Sequence, residues 1–166
     1  MKNKVFFSLI ALILAALVAV PLFAACAGQP APPAKDKIVV GMARSLSGPL
    51  SPIEGSGFGP VYAAWVPEVN AAGGIFVTEF GKKLPLELLI YDDKSDVGTA
   101  ARLTEKLILE DKVDCLWSSN STAMIFAQAP IANKYDHLLL TFEGGATTIK
   151  DALPSLPYAF INLSFS

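Results

Sequence analysis

From Lys37 onward the chain alternates between short apolar runs and longer stretches in which apolar residues return every three or four positions. "KIVVGMA", beginning at Lys37, has the length and β-branched content of a strand. The glycine-rich segment "SLSGPLSPIEGSGFG" leads into a helical stretch with Val61, Trp65 and Val69 one turn apart as the expected apolar face, closed by Gly73 and Gly74 as C-terminal caps. Pro67 falls inside that stretch, and its missing N–H and bulky ring predict a kink or a break there. A small hairpin is expected around Gly81, followed by a strand from Leu86 to Tyr91. Asp96 is placed to cap a helix whose Ala100, Leu103 and Leu107 share one face. Cys115 to Trp117 reads as a short strand, followed by a Ser/Thr-rich loop and a helix from about Thr122 to Tyr135. "LLLTF", the loop "EGGATT" and a short strand near Tyr158 to Ile161 complete the series. The alternation predicts an α/β fold: a doubly wound, mostly parallel sheet with helices on both faces and no internal repeat.

The N-terminus follows another rule. Met1 to Lys4 is a short basic start, Val5 to Val20 is apolar except for Ser8, and Pro21 to Ala25 ends in small residues before Cys26. This is the layout of a secretory signal peptide over residues 1–25. The apolar core of 16 residues covers about 24 Å as a helix, short of a hydrocarbon layer roughly 30 Å thick. Counting on through Ala25 lengthens it, so an uncleaved anchor and ordinary cleavage stand beside a third reading. In that reading "LFAAC" resembles the lipobox of bacterial lipoproteins, with Cys26 as the lipidated residue, although Phe23 stands where the pattern prefers Leu. Residues 26–36 are rich in Pro and Ala and suit an extended tether that holds a folded domain, residues 37–166, off a membrane surface.

Composition changes the picture once that leader is set aside. The 166 residues are 52% hydrophobic, an excess concentrated in the leader. Lys2 and Lys4 leave with it, which takes the balance from 13 basic against 15 acidic residues to 11 against 15, a net charge of -4. An acidic domain of this kind is not built for nucleic acid. With two cysteines in all and Cys26 consumed, Cys115 reads as a small buried hydrophobe.

In doubly wound sheets ligands bind beyond the carboxyl ends of the strands. The loops expected there are "SLSGPLSPIEG", "DDKSD", "SSNST" and "EGGATT", and three of them are rich in hydroxyls, glycines and free backbone N–H groups that suit a small anion such as a carboxylate. Ser119, Ser121, Thr122 and Thr147 fit such a site and equally fit N-caps and turns. Asp92 and Asp93 are the most suggestive acid–base pair, yet both face backbone donors at a strand-to-helix turn, which favours capping. No phosphate loop, nucleophile elbow or metal-ligand cluster is present, His137 stands alone, and no catalytic residue, metal or cofactor is expected.

"IVVGMARSLSGPL", "VNAAGGI", "LELLIYDDKSDVGTAARLTEKLI" and "SSNST...APIANKY" together resemble the N-terminal lobe of type I periplasmic binding proteins, in particular the branched-chain amino acid group of ABC importers. The resemblance runs from Lys37 to Tyr158. It implies a two-lobed clamshell that closes on an amino acid and presents it to a membrane permease, acting as a monomer without enzymatic activity. It also implies site residues: the Ser119 hydroxyl and N–H for the ligand carboxylate, Gly145 and Thr147 from the fourth-strand loop, Ile53 from the first loop, and Ser121 beside Ser119. A sensor ectodomain of the same fold is the nearest alternative, and a doubly wound enzyme is a more distant one.

This sequence departs from the family in three ways. The disulfide that some relatives carry near these loops has no cysteines here, Glu143 and the double glycine alter the fourth-strand loop and open the ligand class to amides and other small polar solutes, and Ser166 falls about where relatives cross into the second lobe. Three charge-assisted hydrogen bonds from one lobe contribute about 4.5–9 kcal/mol, before association costs of at least about 4 kcal/mol. Micromolar affinity needs about 8.2 kcal/mol net. Calorimetric titration of the 166-residue product with amino acids is therefore expected to show no binding tighter than millimolar; a clean micromolar isotherm would contradict this.

Overall fold

The structure is a computed structural model that describes residues 34–162; the leader, Cys26 and most of the tether lie outside the described residues. Strand β1 (Ile38–Arg44) is followed by a single helical turn α1 (Ser51–Ile53), a π-helical turn (Glu54–Phe58) and helix α2 (Gly59–Ala71). A hairpin of β2 (Ile75–Val77) and β3 (Lys82–Leu84) then precedes β4 (Leu86–Asp92), α3 (Val97–Leu109), β5 (Cys115–Trp117) and α4 (Thr122–Lys134). Strand β6 (Leu139–Thr141), helix α5 (Thr147–Ala152) and strand β7 (Ala159–Ile161) end the series. All five strands of the main sheet are parallel, in the order β4-β1-β5-β6-β7. The α/β, parallel-sheet expectation is met. β1 and β4 pair along their whole length, from Ile38 opposite Leu86 to Arg44 opposite Asp92.

The two faces of the sheet carry separate cores. On one, α3 and α4 pack Leu107, Ile125 and Ala129 against Ala43, Leu116 and Leu139. Each large apolar side chain buried in this way contributes about 1.5–3 kcal/mol. The expected face of α3 is present, with Ala100 and Leu107 buried and Leu103 packed against the same cluster. Asp96 caps the helix, accepting from the Thr99 N–H at 2.7 Å. On the other face, α2 lays Tyr62, Val66 and Val69 over Val40, Met42 and Leu86.

Helix α2 corrects its expected packing face. Its packing face is Tyr62, Val66 and Val69, while Val61 is 64% exposed and Trp65 39%. Apolar residues surround this helix almost completely, so spacing alone does not select which stripe faces the sheet. Of the kink or break expected at Pro67, the break is absent, since the helix runs continuously from Gly59 to Ala71. Pro67 and Ala63, four residues earlier, are both exposed, so the carbonyl that loses its partner can turn to water. Helix α5 starts at the last two residues of the loop "EGGATT" and runs into a stretch given no element, a further difference; it has six residues and is held through buried Ile149.

Two further contacts fix where α2 ends. The Asn70 amide both accepts from the Leu86 N–H at 2.8 Å and donates to the Leu86 carbonyl at 2.9 Å. Gly74 adopts φ +91°, and a Cβ there would stand 2.1 Å from the Leu84 carbonyl oxygen, so only glycine passes. At the other end of the sheet, Arg44 is buried at 2% exposure and its guanidinium pairs with Glu54 of the π-helical turn.

These contacts set two expected losses in urea unfolding. Arg44→Met leaves buried carboxylates without their cation and is expected to cost about 3–5 kcal/mol. Gly74→Ala forces a left-handed backbone on a residue with a side chain and is expected to cost about 1–3 kcal/mol or more. A loss below about 1 kcal/mol for Arg44→Met would mean that the ion cluster does not hold this end of the fold.

Candidate functional site

Chain order places the topological switch between β1 and β5, since the chain steps from β1 to β4 on one side and returns to β5 on the other. The loops that follow β1, β4, β5 and β6 lie at this end of the sheet, and a layer of polar groups ties the first three together. Asp93, wholly buried, accepts from the Ser45 hydroxyl at 2.7 Å, the Ser119 hydroxyl at 2.7 Å and the Ser95 N–H at 2.8 Å. Its neighbour Asp92 accepts from the Ser47 hydroxyl and N–H and from the Lys94 N–H. The Ser47 hydroxyl leads the contacts that hold the Asp92 carboxyl below the usual range. Both aspartates thus act as the loop anchors favoured on sequence grounds.

A second polar cluster forms around Arg44. The guanidinium donates from Nε to Glu54 at 2.9 Å and from Nη1 to the Ser118 carbonyl at 2.5 Å, and it pairs with Glu143 at 2.8 Å and, through Nη2, with Glu54 again. The Tyr62 hydroxyl donates to the second Glu54 oxygen at 2.5 Å. The rings of Phe58 and Tyr62 lie 5.7 Å and 6.0 Å from the guanidinium carbon. One buried cation therefore joins β1, the π-helical turn and the ends of β5 and β6. Burial works against its charge, but the bonds to Glu54 and Glu143 outweigh that and hold its pKa above the ordinary value. For Glu143, burial dominates the opposing pull of Arg44 and pushes the carboxyl up to about 7.

A cleft of about 430 Å³ opens on this cluster. Trp65, Trp117 and Phe142 line it as a chain of rings, with Trp65 to Trp117 at 5.9 Å and Trp117 to Phe142 at 5.7 Å edge to face. Met42, Phe58, Val61 and Tyr62 extend the apolar lining; Arg44, Ser118 and Glu143 supply its polar end. Among the described residues lining the cleft, Arg44 is the one cation, and its carboxylate partners hold it. Among the described residues, one Glu143 oxygen, Oε2, is buried without a hydrogen-bond partner. An apolar pocket of this size with a few convergent polar groups suits binding of a small molecule.

The site residues expected from the sequence fall mostly around this cleft rather than on its wall. Ser119 is wholly buried; its hydroxyl serves Asp93 and its N–H donates to Gln128 Oε1 at 2.7 Å, so both donors meant for a ligand are spent. A desolvated carboxylate needs those donors, and Ser118 is the residue of that loop that lines the cleft. Ser121 caps α4, accepting from the Met124 N–H. Ile53 is 44% exposed on α1 and does not line the cleft. Gly145 and Thr147 are exposed at and just before the start of α5, also off the wall. Ahead of them Gly144 holds φ +86°, where a Cβ would meet Ile125 at 2.5 Å. Cys115 is a free thiol that burial pushes up to about 11, in keeping with a packing role. Sequence reasoning passed over Arg44, Glu54 and the aromatic wall. A charged residue closing an otherwise apolar strand, as in "IVVGMAR", was the available signal.

A model of the family described as periplasmic binding protein matches residues 37–161. Among solved structures, the chain is similar to the branched-chain amino acid transporter substrate-binding protein of Streptococcus pneumoniae in complex with isoleucine, at 25% identity and a TM-score of 0.65, over 76% of this chain and 33% of that one. It is also similar to a solute-binding protein of an ABC transporter from Rhodopseudomonas palustris in complex with 3,4-dihydroxybenzoic acid, at 23% identity and a TM-score of 0.60, over 76% and 32%. A third likeness is to a branched-chain amino acid ABC transporter protein, so described provisionally, from Rhodospirillum rubrum, at 19% identity and a TM-score of 0.64, over 77% and 34%. The chain spans about a third of the length of each of these structures. With the parallel sheet, its switch-point cleft and a family match over most of its length, the chain belongs to the periplasmic binding protein family.

Proposed function

We propose that this chain supplies the ligand-binding lobe of an extracytoplasmic solute-binding component of an ABC importer, and that its solutes are amino acids of the branched-chain type or related small polar molecules. The observation that carries this reading is the cleft at the switch point, where aromatic walls meet a polar end built from Arg44, Glu143 and Ser118. Family membership supports an extracytoplasmic place and a delivery role, and the isoleucine and dihydroxybenzoate in the similar structures match a cleft with an apolar body and one polar end. The role is binding rather than catalysis, with a membrane permease as the partner. A second lobe closes the cleft over the solute in this reading, and the exposed Gly145 and Thr147, close in sequence to Glu143, offer further donors to it. The proposed anchor is a lipid on Cys26, with residues 26–36 as its tether and the folded domain monomeric.

Both tryptophans of the chain lie on the cleft, which makes intrinsic fluorescence a direct reporter. Titration with L-isoleucine and with acetamide is expected to give a saturable change for at least one, with half-saturation near or above about 1 mM, the affinity one lobe supports. Trp117→Phe is expected to remove most of that change. Silence of the wild-type fluorescence to both solutes at tens of millimolar would contradict a solute cleft.

A further inference from the structure

The connection from β6 to α5 reads Phe142, Glu143, Gly144, Gly145, Ala146, and Glu143 is the one residue in it whose side chain forms hydrogen bonds. Every polar side-chain contact between this connection and the rest of the domain therefore passes through one carboxyl group. That group is buried. Its Oε1 pairs with Arg44 Nη1 at 2.8 Å, and its Oε2 has no partner among the described residues.

The two acids around Arg44 are held unequally. Glu54 receives the guanidinium through Nε and Nη2 and also the Tyr62 hydroxyl, whereas Glu143 receives Nη1 alone. Glu54 thus compensates the one positive charge, and an ionised Glu143 adds an excess negative charge with an unsatisfied oxygen in a buried place. A neutral carboxyl avoids that charge cost where it sits; an ionised one escapes it by reaching water. The backbone that follows gives it the freedom to do so, since Gly145 is exposed with open space around it. We infer that the β6–α5 connection is a proton-controlled latch: it is seated on the Arg44 cluster while Glu143 is protonated, and ionisation of Glu143 releases it and draws Phe142 away from Trp117. Phe142 follows because it is the next residue in the chain and its ring rests edge to face on Trp117, 5.7 Å away. The latch regulates the wall of the cleft and does not depend on which solute the cleft takes.

The charged and titratable groups that bear on Glu143 are Arg44 of β1, Glu54 of the π-helical turn and Tyr62 of α2. Arg44 and Tyr62 are both held above their ordinary values, so neither changes charge near neutral pH. The one histidine, His137, precedes β6, whereas Glu143 follows it, which places them at opposite ends of that strand. Burial outweighs the pull of Arg44 and lifts Glu143 from 4.5 to about 7. Between those values the folded domain keeps a proton that the unfolded chain gives up. The stability this supplies is fully present below pH 4.5 and is lost as pH rises through about 7, the reverse of an acid held by a salt bridge.

The test follows acrylamide quenching of Trp117 in the full chain carrying Trp65→Phe, from pH 5 to pH 8. Quenching is expected to rise about twofold with a midpoint near pH 7, and to stay at its low acid value throughout when Glu143→Gln is added. In urea unfolding over the same range, the unfolding constant is expected to rise at least about tenfold more in the wild type than in Glu143→Gln. A flat quenching profile in the Trp65→Phe chain, an equal rise with and without Glu143→Gln, or the same pH dependence of unfolding in the wild type and Glu143→Gln would overturn the latch. The profile of the Trp65→Phe chain decides by itself if the glutamine variant does not fold: a rise centred near pH 7 supports the latch, and a flat profile or one centred below pH 5 overturns it.

Discussion

A guanidinium taken out of water must be given acceptors, and at Arg44 those acceptors come from three separate parts of the chain. Glu54 arrives from the π-helical turn, Ser118 from the end of β5 and Glu143 from the end of β6. The requirement to compensate one buried charge therefore sets the relative positions of the loops on the ligand edge. The single turn α1, the π-helical turn and α2 run without interruption from Ser51 to Ala71, and Glu54 is the residue of this segment that pairs with the charge. Tyr62, one face of which packs on the sheet, closes the cluster through its bond to Glu54.

Asp93 plays the matching part for the hydroxyl-rich loops. Its carboxylate draws in Ser45 and Ser119 and fixes the Ser95 turn, so the "SLSG", "DDKSD" and "SSNST" segments are bound to one another before any solute arrives. The loops are pre-organised by buried charge, not left open as donors. The cleft beside them presents an aromatic wall and the Ser118 loop end. The relatives captured with isoleucine and with dihydroxybenzoate show that similar proteins hold quite different small molecules.

Most of the fold was readable in the chain, because its elements obey local rules. Alternating short apolar runs and amphipathic stretches gave the parallel α/β order, Asp96 and Ser121 sit where caps were due, and Gly73 and Gly74 end α2. The misreadings arise where local rules are silent. Helix α2 is apolar nearly all round, so only the assembled sheet decides that Tyr62, Val66 and Val69 face inward. Pro67 is tolerated because its turn faces water, a property of the tertiary structure. The site was the least readable part. Ser119 matches a ligand-binding pattern by position, yet its donors are claimed by Asp93 and Gln128, residues 26 and 9 positions away. Arg44 and Glu54 give no spacing signal at all, since their partnership exists only once β1 and the helical segment pack.

The depth and charge of the Arg44 cluster can be read from one of its members. A ¹³C-detected pH titration of the Glu143 carboxyl, assigned by comparison with Glu143→Gln, follows the balance between burial and the guanidinium directly. A buried carboxyl with one oxygen on Arg44 and the other unpartnered titrates at about 7. A midpoint at the ordinary glutamate value of 4.5 would place Glu143 in water and contradict the cluster on which the cleft is built.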